Sequence, residues 1–483
     1  MPNLPDVELP VHDGFVAVVK RDCPTCVLVA TLLAEVGAVA ELAVYSQDDP
    51  AFPSGVDVID DTDLDVSFAL DIDTVPTLIK VEGGRETARL VGWFRPDWQT
   101  LTGLPGLGAD LPELRPGCGS RTNDPDIADA RAVATNTARL RSRNVTLGER
   151  EDENEAMFER GWTDGLPVVP PTPERVARML TGTTRDPDEV VVLAPPDLVE
   201  CTVEKIAINA VMAGCRPEYL PVVLAAVEAA CTDEFNAHGL LCTTWFSGPM
   251  VMVNGPLTRA LGMNSGVNAF GQGNRANATI GRALQLVIRN VGGGRPGEID
   301  RAAFGWPGKY TFCFAEREHD SPWDPYHVDR GFDRAQSTVT LFAAGGLQPV
   351  VDQLSRDADE LANTFARCLR TVGHPKNVFI WDAFMAIGPE HARVFRESGW
   401  SKARLHESLT ERLQIPGDEV IRGVDGIAEG MPEGFAGHVL PKFRDGGLRI
   451  VHCGGEAGLF SAIIPGWASG AVGSEMVTKE IGT

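Results

Sequence analysis

Cys23 and Cys26, in Asp22-Cys23-Pro24-Thr25-Cys26, are the residues whose type and spacing point most directly to chemistry. A short β-branched run precedes them and a helix-compatible segment follows. The first thiol therefore falls at a helix start, where backbone amides and the macrodipole favour a thiolate. The second lies one turn in, positioned to resolve a mixed disulfide. A zinc site would need a second Cys-x-x-Cys, and the sequence has none. Redox exchange is the expected use of the pair. Because the residues between two such cysteines tune their potential, Pro24-Thr25 leaves the direction of electron flow open. A third thiol, Cys118, stands in Arg115-Pro116-Gly117-Cys118-Gly119-Ser120-Arg121, where two arginines favour its ionised form.

Further along, Phe270-Gly271-Gln272-Gly273-Asn274-Arg275-Ala276 opens a helix with a glycine-rich run. No convincing strand precedes it and no suitable acidic residue closes a βαβ unit, so dinucleotide binding is not expected. Two uses stay open: a tight structural turn, and capture of a small anionic group by the helix start, with Asn274 and Arg275 as ligands in a cleft. His238 and Cys242, Cys313 and Glu316, His327, and His452 with Cys453 sit in apolar surroundings and are candidates for a shared pocket. Their spacings match no compact metal motif, and neither a metal nor a cofactor is expected. A serine hydrolase is poorly supported, because no Gly-x-Ser-x-Gly elbow occurs.

The elements that must position these residues are legible from periodicity. Residues 15–19 (FVAVV) read as a strand, VLVATLLAEVGA as a helix, LAVYS as a second strand, and the stretch through Thr77 to Trp93 as a hairpin turning at Gly83-Gly84. Here the chain resembles the thioredoxin superfamily. The resemblance covers about residues 14–104 and rests on Cys23-Pro24-Thr25-Cys26 and Val75-Pro76-Thr77, where that superfamily places a cis-proline facing the dithiol. It implies a cis bond before Pro76.

Leu104–Asp126 is rich in Gly and Pro without apolar periodicity and reads as a linker or arm that carries Cys118. Cys118-Gly119-Ser120, followed by Gly161-Trp162-Thr163-Asp164-Gly165-Leu166-Pro167, resembles the UGSC family, named for a selenocysteine-Gly-Ser-Cys motif. That resemblance puts Cys118 at the selenocysteine position, and Arg121 stands where the motif has its final Cys. In the remaining chain, a helix capped at Thr202, another from Pro217 to Cys231, a buried strand near 251–256 and a helix over Ala276–Val291 stopped by Gly292 alternate with short apolar runs. The expected architecture is α/β. A thioredoxin-like domain (1–104) precedes an arm (105–126) and a large α/β domain (127–483).

The 483 residues are too many for one core, and no apolar run approaches the roughly 20 residues needed to cross a bilayer. The N-terminal MPNLPDVELPVHDG has no export signal, so the cytoplasm is expected. With 67 acidic against 43 basic residues and a net charge of −24, nucleic acid and anionic membranes are poor partners. Ten cysteines in a reducing compartment read as buried thiols with a few reactive ones. The reading that follows is an oxidoreductase in which Cys118 processes a small-molecule substrate and the Cys23/Cys26 dithiol regenerates it, an external thiol reductant and a homo-oligomer both being compatible with it. Two alternatives compete: a lyase or hydrolase using His238, Glu316 or His327 as acid and base, and a thiol-based trap for metals or electrophiles.

Overall fold

A computed structural model describes residues 11–148, 150–468 and 473–482; residues 1–10 of the N-terminal segment read above for an export signal lie outside the described residues. The protein is mixed α/β, and its contacts divide it into two compact units, Met1–Ala132 and Val133–Thr483. No described helix is long and apolar enough to cross a membrane.

In the first unit, strand β1 (Gly14–Val19) is apolar on both faces and its residues from Phe15 onward are buried, so it takes the centre of a sheet. It runs parallel to β2 (Glu41–Ser46), a pairing that requires a crossover, and helix α1 (Pro24–Gly37) supplies it. Pro24 fits the first turn of α1 because no intrahelical N–H is needed there. The hairpin expected around Gly83-Gly84 forms from strands Thr77–Glu82 and Arg85–Val91, and the sheet is completed by Val58–Asp60 beside β2. The Val75–Pro76 bond is cis.

The stretch 105–126 is not a free linker or arm. Leu114–Arg115 pairs with Trp93–Phe94, and Cys118–Gly119 pairs antiparallel with Thr74–Val75. Trp93 donates from its indole to the Pro112 carbonyl at 2.6 Å, and Ser120 joins a buried network with Gln47, Ser67 and Thr122. The absence of apolar periodicity that suggested a linker reflects a strap held by backbone pairing and small polar contacts. The division between units falls inside the helix Pro125–Arg139, a few residues beyond the boundary expected at 127.

The second unit carries a sheet in which one pattern occurs twice. Gly248–Asn254 pairs parallel with Cys313–Ala315 and antiparallel with Thr338–Ala344. Trp381–Ile387 likewise pairs parallel with Leu448–His452 and antiparallel with Phe460–Ala468. Each half then lends its next strand to the other: Gln348–Val351 lies against Phe460–Ala468, and Val477–Glu480 against Thr338–Ala344. The repeat is topological. In both halves the central strand ends at a Gly-Pro pair, Gly255-Pro256 and Gly388-Pro389, but little other sequence is shared. Helices Val203–Ala213, Leu220–Ala230 and Arg275–Asn290 share one apolar core with strand residues Val251, Val253, Val339 and Leu341. Thr202 caps the first of these by accepting from Lys205 N, and Gly214 ends it at φ 88°, as expected. The second helix opens with a 3-10 turn, Pro217–Tyr219, before the α-helix proper.

Candidate functional site

The three thiols singled out in the sequence meet in the first unit. Cys23 caps α1, its sulfur accepting the Cys26 N–H at 3.3 Å and lying 3.5 Å from the Val75 carbonyl oxygen. Cys26 is wholly buried, with the Lys20 N–H directed at its sulfur at 3.5 Å. Cys118 is held opposite Val75 by the strap, one residue from Pro76, and Thr25 Oγ1 donates to the Pro116 carbonyl at 2.7 Å to close the strap over the dithiol. Cys23 is 1% exposed and Cys118 half-buried, so the outermost sulfur of the three is Cys118.

Gly117 is what permits this approach. A Cβ there would stand 2.4 Å from Thr74 Cγ2 and 2.8 Å from the Val75 oxygen, closer than any side chain can sit.

The thiols divide their protons unequally. A hydrogen bond from the Cys26 thiol, joined by another from Cys118 and by backbone N–H groups of Cys26 and Thr25, pulls the Cys23 thiol down to about 5 against the cost of burial. Cys26 moves far upward through burial and through holding its proton for Cys23. Cys118 also moves upward, by burial first and then by donating to Cys23. The charge rests on Cys23. The arginines flanking Cys118 in sequence do not lower it, which corrects the expectation of a Cys118 thiolate.

In the second unit the structure gathers part of the expected pocket. Asn254 ends its strand, Glu316 directly follows the parallel neighbour, and Thr338 opens the antiparallel one. Glu316 is buried and accepts from Asn254 Nδ2 at 2.6 Å and from the Tyr326 N–H at 2.7 Å. Burial pushes its carboxyl up to about 7 in spite of these donors. Asn254 Nδ2 also reaches Glu318 at 2.9 Å, and His327, 0% exposed, places Nδ1 3.8 Å from that carboxylate. Neither His327 nitrogen has a hydrogen-bond partner among the described residues, nor do Asn254 Oδ1 and Thr338 Oγ1. His452 and Cys453 adjoin the cluster, and Cys453 takes in the second half the place of Glu316 in the first: each donates its backbone N–H to the neighbouring strand, at Ile387 and Val253. Among the described residues no group of three or more His, Cys, Asp or Glu is arranged to hold a metal ion.

Other expected members lie elsewhere. His238 and Cys242 are exposed, on the short helix Ala237–Cys242, because the apolar side of that turn is taken by Leu240 and Leu241. Cys313 is buried in the apolar core.

Asn274 and Arg275 do not form an anion site. Asn274 Oδ1 accepts from Asn277 N and its Nδ2 donates to the Gly262 carbonyl, while Arg275, exposed, donates from Nε to the Gly214 carbonyl. The helix start is capped by its own side chain. It is the other half of this helix, at Gln285 and Arg289, that faces a cavity, and sequence reasoning missed both. Their i, i+4 spacing was the available signal.

No protein-family model matches this chain, and no curated protein matches it either.

Proposed function

We propose that the chain is a thiol oxidoreductase of a reducing compartment such as the cytoplasm, in which Cys118 exchanges with a small-molecule disulfide and the Cys23/Cys26 pair beneath it restores the thiol. One observation carries this reading: the strap pairs the half-buried Cys118 with Val75, whose carbonyl oxygen lies 3.5 Å from the sulfur of the buried Cys23, and the Cys26 N–H at the helix start is directed at that same sulfur. The thioredoxin-like reading of residues 14–104 draws support from the dithiol at the start of α1, directly after the central strand, and from the Val75 carbonyl 3.5 Å from the Cys23 sulfur. The UGSC-like reading of the large domain rests on the sequence motif alone, in which Asp164 binds the Arg282 fork at 2.8 Å twice.

The steps balance as a two-electron reduction. Cys118 loses its proton to water and attacks one sulfur of the substrate disulfide. A mixed disulfide on Cys118 forms, and the first substrate thiolate leaves and takes up a proton. The Cys23 thiolate then attacks the Cys118 sulfur, expelling the second substrate thiolate and forming a Cys23–Cys118 disulfide. Their shared place around Val75 makes this step intramolecular. Cys26, on losing its proton, attacks Cys23 and releases Cys118, leaving a Cys23–Cys26 disulfide. An external thiol such as glutathione reduces that bond and closes the cycle.

The test uses 2-hydroxyethyl disulfide as substrate and glutathione as reductant. Cys26→Ser should accumulate a Cys23–Cys118 link seen by peptide mass mapping, and Cys118→Ser should lower turnover by at least about 100-fold. Full turnover in Cys118→Ser would overturn the assignment. Turnover that survives loss of both Cys23 and Cys118 would move the chemistry to acid–base work at Glu316 and His327.

A further inference from the structure

The largest unexplained concentration of unpartnered donors lies in the second unit, around a cavity of about 550 Å³. That volume is within the range of small-molecule sites. Its walls combine Leu240, Leu241, Ile288 and Pro249 with the polar residues Ser247, Gln285, Arg289 and Trp306. Four buried atoms on those polar residues, Ser247 Oγ, Gln285 Nε2, Arg289 Nε and Trp306 Nε1, have no hydrogen-bond partner among the described residues. Ser247 is 1% exposed, so its hydroxyl has no recourse to bulk water. Leaving buried donors unmade costs about 1–3 kcal/mol each in a folded protein, which marks them as groups awaiting an acceptor.

The charges in the wall decide the sign of that acceptor. Asp300 is bound by Lys309 at 2.7 Å, and Asp164 is bound by Arg282. Both carboxylates are compensated. Arg289 has no ion pair among the described residues, so the cavity's uncompensated charge is positive and adjoins the Gln285 amide one helical turn away. Two exposed aromatics also line the cavity: Phe304, 88% exposed and edge-on to Phe246 at 5.7 Å, and Tyr310.

We propose that this cavity binds an organic carboxylate with a flat apolar body, its carboxylate received by Arg289, Gln285, Ser247 and the Trp306 indole N–H, and its body laid against Ile288, Leu241 and Phe304. A planar anion suits the guanidinium, which offers parallel donors, and the apolar wall supplies the remaining contact. The site lies in the second unit and is independent of the thiol chemistry proposed above.

Isothermal titration of the full chain with 2-naphthoate, with its neutral counterpart 2-naphthylmethanol and with inorganic phosphate tests the proposal. Naphthoate should bind saturably with a Kd below about 1 mM. The alcohol, lacking the charge, and phosphate, lacking the body, should each bind at least about tenfold more weakly. Arg289→Gln should weaken naphthoate by about tenfold or more, with far-UV circular dichroism unchanged. Should Arg289→Gln fail to fold, Ser247→Ala carries the test, since it removes one buried hydroxyl and no charge; its naphthoate affinity should fall about threefold or more. No saturable naphthoate binding, an alcohol that binds as well as the acid, or native affinity in whichever variant folds would overturn the proposal.

Discussion

The thiol site of the first unit and the buried polar cluster around Glu316 in the second differ in how completely their polar groups are satisfied. Around Cys23, the Cys26 N–H at the helix start and the neighbouring thiols hold the Cys23 thiol well below its ordinary value in spite of burial. Around Glu316, donors also converge, but His327, Asn254 and Thr338 keep unpartnered atoms, and the carboxyl is driven toward its neutral form. Burial raises both groups; the count and type of donors decides which one ionises. A charge can be buried cheaply only where the surrounding groups were built to receive it.

Replacing Cys23 attacks that contrast most severely. Cys23→Ser removes the anion and should abolish disulfide turnover, a loss of at least about 100-fold, with 2-hydroxyethyl disulfide as the readout. Next in size is displacement of the strap. Gly117→Val puts side-chain atoms against Thr74 and Val75, lifts Cys118 away and takes one hydrogen bond from Cys23. The Cys23 alkylation midpoint should then rise by about one pH unit, corresponding to roughly 1.4 kcal/mol of lost thiolate stabilisation. An unchanged midpoint would show that Cys118 contributes nothing to the anion.

The pH responses of the two sites should run in opposite directions. The folded-state value of Cys23 lies below its ordinary 9.0, so the stability it contributes is complete above about pH 9 and is lost as pH falls through about 5. Iodoacetamide labelling of Cys23 followed by mass spectrometry should accordingly give a midpoint near 5. Glu316 is raised above its ordinary 4.5, so its contribution is complete below about pH 4.5 and is lost as pH rises through about 7. Urea melts should therefore show native protein losing stability across that interval relative to Glu316→Gln, which cannot ionise; parallel pH curves for the two would refute the neutral carboxyl. The smallest effect belongs to Arg275→Ala, which loses one exposed hydrogen bond to a backbone carbonyl and should shift the melting free energy by no more than about 1 kcal/mol.

The sequence by itself determined a good deal. Short-range physics wrote the strand at Gly14–Val19, the helix start at Cys23, the caps at Thr202 and Gly214 and the hairpin at Gly83-Gly84, because each depends on neighbours within a few residues. It also made the three thiols conspicuous. What it could not decide was which thiol carries the charge, since Cys23 owes its anion partly to a residue 95 positions away, brought close by the pairing of Val75 with Cys118. The strap carrying Cys118 looked like a linker because glycine and proline signal loops, whereas here Gly117 serves close backbone approach. Asn274 and Arg275 looked like ligands because a helix start attracts anions, yet their side chains satisfy backbone groups, and the cavity opens two turns or more further along at Gln285 and Arg289. Local propensity is set by adjacent residues and survives in the sequence; protonation, burial and the lining of a cavity depend on groups that only the tertiary fold brings within a few ångströms.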